Sequence, residues 1–215
     1  MPTLLLRLQG PMQSWGTTSR FDERDTQLEP SKSGVLGLIC AALGRDRHES
    51  VDDLAALTMG VRVDSEGVVL RDYQTATGIV NAAGKVDMKR TVVSPRYYLS
   101  DAAFLVGFEG DGSLLAQIHQ ALKTPHWPLS LGRKGCLPSP PVYLPDGLQD
   151  TDLRSALHNY PELREGAGQQ VRRLLLEAGE GAMRLDQPIA PFADRRFGPR
   201  FVLTEQLEPE EVPCP

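Results

Sequence analysis

The chain has 215 residues, a net charge of −5, and 40% apolar and 24% charged residues. That is enough to bury a sizeable core unaided, in one large domain or two small ones, and the balance is that of a soluble globular protein. Cys40, Cys136 and Cys214 are widely spaced with no CxxC pair, which excludes a disulfide framework and fits a reducing cytoplasm. The N-terminal apolar run is broken by Arg7 and Gln9, so it is read as no signal peptide. The apolar stretch 35–43 is far too short to span a bilayer, so no membrane is expected.

Residues 3–9 alternate with the period of a strand, Leu4, Leu6 and Leu8 on one face and Leu5, Arg7 and Gln9 on the other. Gly10-Pro11 ends it. After a polar loop, Ser31 or Ser33 caps a helix over 35–43, whose Val35, Leu38, Ile39, Ala42 and Leu43 share a face. Gly34 and Gly37 weaken that helix by roughly 1 kcal/mol each relative to alanine; close approach to the sheet or to a partner backbone would offset the loss. A shorter helix is expected over 50–57, then strands at 60–64 and 68–73 around the turn Ser65-Glu66-Gly67. Residues 74–94 gather Lys85, Lys89 and Arg90 against Asp87 alone and read as an extended hairpin or flexible excursion from the sheet. Strands at 96–100 and 103–108 follow. Asp111-Gly112-Ser113 opens a helix with Leu114, Leu115, Ile118 and Leu122 on one face.

This βαββα order predicts an α+β fold, helices over an antiparallel sheet in a ferredoxin-like unit. Beyond it, 125–145 is rich in proline and glycine and contains Leu131-Gly132-Arg133-Lys134-Gly135-Cys136. Residues 171–178 fit a helix or a strand equally, 201–203 read as a closing strand, and Gly166-Ala167-Gly168 is the candidate flexible joint. Glu205, Glu208, Glu210 and Glu211 read as a solvated acidic end.

Catalytic patterns are scarce. His48, His119, His126 and His158 stand at no metal-ligand spacing, so no metal is expected. There is no GxSxG elbow, and Asp22, Asp25 and Asp46 do not specify a two-metal site. Pro30-Ser31-Lys32-Ser33-Gly34 lacks the spacing of a phosphate loop, so no nucleotide cofactor is expected. It retains free N–H groups at a helix start, two hydroxyls and the Lys32 ammonium, which suit a single phosphate; the commoner role of such a stretch is a capped helix with an exposed lysine. Lys85, Lys89, Arg90, Arg96, and Arg133-Lys134 between glycines are each ordinary surface charges alone, but converging on one sheet edge they would form a polyanion groove. Trp15, beside Gln13 and Ser14, is either a stacking platform for an unpaired base or a core tryptophan.

Several motifs carry a resemblance. Residues 6–16 (LRLQGPMQSWG), Pro30-Ser31-Lys32-Ser33-Gly34 with Gly37-Leu38 and Ala42-Leu43-Gly44, Arg71-Asp72-Tyr73-Gln74-Thr75, residues 96–104 (RYYLSDAAF) and residues 131–136 (LGRKGC) are similar, in order and spacing, to the CasD family. These are RAMP-group subunits that hold the 5′ handle of the guide RNA (crRNA) in type I-E CRISPR surveillance complexes, called Cascade. The likeness spans about two-thirds of the chain and fades after Tyr160.

The resemblance implies a ferredoxin-like, RRM-related RAMP domain over 1–124 with a thumb hairpin at about 74–95, and a C-terminal β-rich region over 125–215. It implies a non-catalytic subunit bound to crRNA, the backbone subunit CasC and the large subunit CasA, reaching target DNA only through the complex. By position in the motifs, Gln13, Ser14, Trp15, Lys32 and Ser33 would lie at the handle site, joined by Arg96, Gly132, Arg133 and Lys134. Lys89 and Arg90 lie in the thumb, with Thr91, Val92 and Val93. Pro95 and Ser130 stand where aromatics would be expected, which shifts the grip from stacking toward backbone contacts. The alternative implied by related subunits is a metal-independent endoribonuclease. Its base would be a histidine, and His126 is the nearest to these motifs.

Overall fold

β1 (Thr3–Gln9) divides the protein, because its alternate leucines face two different cores. In the computed structural model, which describes residues 1–17, 23–81, 83–164 and 172–207, it is followed by β2 (Met12–Gln13), α1 (Lys32–Leu43), α2 (Asp52–Ala55), β3 (Thr58–Ser65), β4 (Val68–Val80) and β5 (Val86–Ser100). Then come β6 (Ala103–Glu109), α3 (Gly112–Lys123), β7 (Leu148–Gln149), α4 (Leu153–Asn159), β8 (Arg172–Ala178), β9 (Ala182–Pro188) and β10 (Phe197–Leu207). One sheet runs β7-β1-β6-β3-β8-β10-β9 and a second β2-β5-β4. Every pairing among β7, β1, β6 and β3 is antiparallel. With α1 and α3 as the crossovers, this is the ferredoxin-like βαββαβ order. β8, β10 and β9 extend the same sheet beyond β3, and 171–178, equally helix or strand in sequence, is a strand in its described part.

α1 and α3 cover the face carrying Leu4, Leu6, Leu8, Val61, Phe104 and Val106. α4, which the sequence reading missed, covers the opposite face with Leu153 and Leu157 against Leu5, Leu105 and Leu174. It sits close because Gly60 and Gly107 are cross-strand partners beneath it, and a Cβ on either would stand 2.6 Å from a leucine methyl of α4. Arg62 and Asp64 on this face are fully buried as an ion pair. Arg62 donates to the carbonyls of Leu157, Tyr160 and Pro161, while Asp64 accepts from the Leu163 N–H. The open sheet face on which RRM domains stack bases is therefore closed here.

The sequence expectation of a hairpin between 60–64 and 68–73 is corrected. Both sides of β3 are taken, by β6 and β8. β4 instead pairs with β5 from Val68↔Ser100 to Val80↔Val86, through one irregularity at Thr77/Ile79. The thumb begins at its root near 68 and 100 rather than at 74 and 95, and strands of this length reach roughly 40 Å. Glu205, expected in a frayed end, lies in β10 and pairs with Arg154 at 2.7 Å; residues 208–215, Cys214 among them, the 166–168 joint and Asp22 lie outside the described residues. Cys40 and Cys136 are free and buried, and burial pushes the Cys40 thiol up to about 11. No described helix is long and apolar enough to cross a membrane.

The two weak points of α1 differ. A Cβ on Gly34 would lie 2.9 Å from both Ser31 Oγ and the Trp15 ring, whereas one on Gly37 meets nothing within 4 Å. Gly37→Ala is therefore expected to raise stability by up to about 1 kcal/mol, and Gly34→Ala to lower it, both read as shifts of the urea midpoint.

Candidate nucleic-acid interface

Where β2, the 23–27 segment, the root of the thumb and the 131–136 turn meet, backbone bonds tie four distant segments together. The Ser14 N–H donates to Leu131 O (3.1 Å), Arg24 N–H to Pro95 O (2.9 Å), Tyr97 N–H to Arg24 O (2.9 Å) and Gln27 N–H to Trp15 O (3.1 Å). The turn itself is closed by Leu131 N–H to Cys136 O (2.7 Å) and Cys136 N–H to Arg133 O (2.8 Å). Gly132 has φ +87, and a Cβ there would fall 1.7 Å from Ser14 O. Only glycine fits that backbone and that approach.

The turn projects Arg133 over the Tyr98 ring, 4.7 Å from its centroid, a cation–π seat. Its Nη2 donates to the carbonyls of Arg24 (2.9 Å) and Asp25 (3.2 Å), while its Nη1 has no partner and is shielded from the surface. Arg96 pairs with Arg24 across an isolated bridge, and its Nε is likewise buried without a partner. Buried donors of this kind are uncommon and costly unless something outside the chain accepts from them. Arg133 lines a cleft of about 220 Å³ with Ser14, Gly16, Ser31, Gly34 and Gly132. The Asp25 carboxylate is also in the lining, its Oδ2 accepting from Thr17 N (3.3 Å) and Gln27 Nε2 (3.5 Å). The cleft is smaller than the roughly 300–1,000 Å³ of small-molecule pockets, and the Arg133 guanidinium is the cation in its wall.

Arg96, Gly132 and Arg133 thus come together, with Ser14 behind them. Arg24 completes the group; no motif drew attention to it, and a cation two residues after Asp22 was the available signal. Lys134 is exposed on the same turn, and Ser33 stands on the neighbouring face of α1. Lys89 and Arg90 are exposed far out on the thumb, with no contact to the cleft.

Three residues expected to face an anion do structural work instead. Trp15 is 1% exposed, its Nε1 donating to Gln13 Oε1 at 3.0 Å; it is the core tryptophan of the two readings, not a stacking platform. Gln13 is fully buried and its amide donates to the carbonyls of Leu8 (3.1 Å) and Ala102 (2.8 Å), fixing β2 to the sheet. Lys32 is 1% exposed on its side chain and is held by Glu177 at 3.0 Å and Ala55 O at 3.0 Å. Burial pushes its ammonium below the ordinary lysine range, and the Glu177 charge opposes that drop. Ser31 holds the N-cap position of α1 but makes no side-chain cap bond; instead the N–H of Lys32 donates to Asp186 Oδ2 at 2.7 Å, and Asp186 is itself bound by Arg200. The anion suited to this helix start comes from β9 of the same chain. Lys32→Met is accordingly expected to cost about 1–3 kcal/mol by leaving Glu177 unpaired, measured by urea unfolding, with little change in RNA affinity of the folded protein.

The chain matches the family described as CRISPR-associated protein (Cas_Cas5) over residues 3–203. It is 33% identical over 174 residues to a protein of Escherichia coli (strain K12) named CRISPR system Cascade subunit CasD, covering 73% of this chain and 76% of that one. A solved structure titled "Crystal structure of Cas protein" is 55% identical with a TM-score of 0.82, over 99% of this chain and 98% of the other. A chain of a solved "CRISPR RNA-guided surveillance complex" is 32% identical with a TM-score of 0.78, over 96% of this chain and 90% of the other. A family match over nearly the whole length, a curated relative at this identity and two full-length structural likenesses agree: the chain belongs to the CRISPR-associated Cas_Cas5 family.

Proposed function

We propose that the protein is a non-catalytic crRNA-binding subunit of a type I-E Cascade complex, holding the 5′ handle of the guide in the Arg133 cleft and capping the backbone assembly beside CasC and CasA. The observation that carries this reading is the buried, unpartnered guanidinium N–H of Arg133 at a cleft walled by glycine backbone, with a second such N–H on Arg96, which is tied to Arg133 through the Arg24 backbone. The support from likeness is a relative named as a Cascade subunit and a structure titled as an RNA-guided complex. Phosphate contacts fix the strand's path, and the closed sheet face leaves the edge as the surface where unpaired nucleotides are taken. The thumb cations Lys89 and Arg90 extend the same field outward.

The test is the salt dependence of guide retention. For single-stranded RNA each lost phosphate contact lowers the slope of log K against log salt by roughly 0.7, so Arg96→Ala with Arg133→Ala should lower it by about 1.4 and weaken binding throughout. An unchanged slope and affinity in the double variant would sink the assignment of this cleft. The nuclease reading is not favoured: among the described residues lining the cleft, the charged side chains are Asp25 and Arg133, and none is an imidazole that could serve as base. Cognate repeat RNA incubated with the purified chain in EDTA should stay intact, and a cut at one defined phosphate would reverse that judgement.

A further inference from the structure

Beside the Arg133 cleft, and sharing Gly34 and Gly132 with it, a groove of about 410 Å³ runs along the outer face of α1. We propose that this groove is a slot for one unpaired base of the bound RNA, with the Trp127 indole as its stacking wall. The inference rests on the handle-binding reading above and adds a base-recognition subsite to it.

Gly37 forms part of the floor, with open space where its Cβ would be. Nothing inside the protein requires glycine there, although glycine costs the helix stability. What its absence of side chain provides is a low surface on which a flat group can lie. Trp127 forms part of the wall and is 42% exposed, an unusual state for a residue that is highly buried on average. It is not loose. Its backbone N–H donates to Ala41 O (3.1 Å) and the backbone N–H of His126 to Ala42 O (3.0 Å), so the loop end is bonded to the last turn of α1. The indole also meets the His126 ring edge-on at 4.9 Å.

Charge selects RNA over an apolar protein segment. Lys134 lines the groove, exposed and without an ion-pair partner among the described residues. Arg47 lines it too, anchored by its Nη2 to Phe192 O (3.3 Å) and by its own carbonyl, which accepts from Ala193 N–H (2.9 Å). Arg45 is occupied by Asp53, and the one carboxylate of the lining, Asp46, accepts from the His48 N–H at 3.0 Å. An aromatic wall, a bare floor and cations at the rim are the elements of sequence-tolerant base stacking. Continuity with the cleft lets the strand's phosphates run past Arg133 while one base turns onto α1.

The test uses the full-length chain and short single-stranded RNA from the 5′ part of the cognate repeat, with one abasic residue moved along it. In the wild type, one abasic position should weaken binding about tenfold. Gly37→Leu, which fills the floor with a good helix former, and Trp127→Ala should each weaken intact RNA about tenfold, leave the abasic RNA unchanged and so erase that position's penalty. The melting temperature of Gly37→Leu should not fall. A penalty that persists in both variants, or intact RNA bound as by the wild type, overturns the slot. So does normal RNA binding by Gly37→Leu with failed assembly onto the other subunits, which would give the groove to a protein. A wild type that binds none of these RNAs defeats the handle-binding reading itself, and the slot with it.

Discussion

Gly132→Ala is expected to cost at least about 2 kcal/mol of stability and tenfold or more in guide affinity. Left-handed backbone alone costs a non-glycine residue roughly 1–2 kcal/mol, and the added methyl would overlap Ser14 O, 1.7 Å away. Either the turn swings out or the Ser14 strand moves. In both cases the bond from Ser14 N–H to Leu131 O is lost and Arg133 leaves its seat on Tyr98. Gly135 closes the same turn, but a Cβ there meets nothing within 4 Å and its φ is not left-handed. Gly135→Ala should therefore stay within about 0.5 kcal/mol of the wild type. Urea unfolding beside a guide-retention assay reads both effects. Equal behaviour of the two alanine variants would mean that the 131–136 turn is not built on the Ser14 contact.

The second large effect lies on the other side of the sheet. Arg62→Ala is expected to destabilise the fold by about 3–5 kcal/mol, because Asp64 would remain buried without its counter-charge and three carbonyls at the end of α4 would lose their donor. Since Asp64 also holds the Leu163 N–H at 2.9 Å, Arg62 and Asp64 act as one unit. Alanine at both positions should cost clearly less than the sum of the single changes. A loss below about 1 kcal/mol for Arg62→Ala alone would contradict the packing of α4 on this face.

Local periodicity made much of the fold legible. β1, α1 and α3 follow from alternate or helically spaced leucines, and α3 starts where Asp111 accepts from the Leu114 N–H at 2.8 Å. What was not legible depends on distant partners. Lys32 looked exposed because Glu177 and Asp186 lie about 150 positions further along the chain. The burial of Arg62 and Asp64, on the side of the strand away from Val61 and Val63, depends on the covering helix α4, which was missed. Its signal was present, in Asp152 as cap and in Leu153, Ala156 and Leu157 at helical spacing. The thumb was read in pieces because Gly78 and Pro95 punctuate it. Pro95 is tolerated opposite Tyr73 since β2 reaches only Leu99 and Ser100, and on its outer side Pro95 only accepts, from Arg24 N–H.

The candidate site was half legible for the same reason. Glycines and cations at 131–136 and Arg96 pointed to segments that the fold brings together, whereas the choice between the two readings of Trp15 turns on burial, which composition does not encode. Gln13 and Ser14 belong to the site's scaffold: Ser14 Oγ donates to Tyr97 O at 3.1 Å, beneath the arginines.

The central claim is that the guide's 5′ end runs through the cleft between the 131–136 turn, residues 14–16 and the start of α1, beside the root of the thumb where Arg133 sits on Tyr98. Photo-crosslinking of 4-thiouridine-substituted guide in the assembled complex, with the linked peptides identified by mass spectrometry, tests it most directly. The account predicts links from the handle nucleotides to peptides containing Ser14, Arg96 and Arg133. Handle links confined to α4 and the outer face of β8–β10 would contradict it.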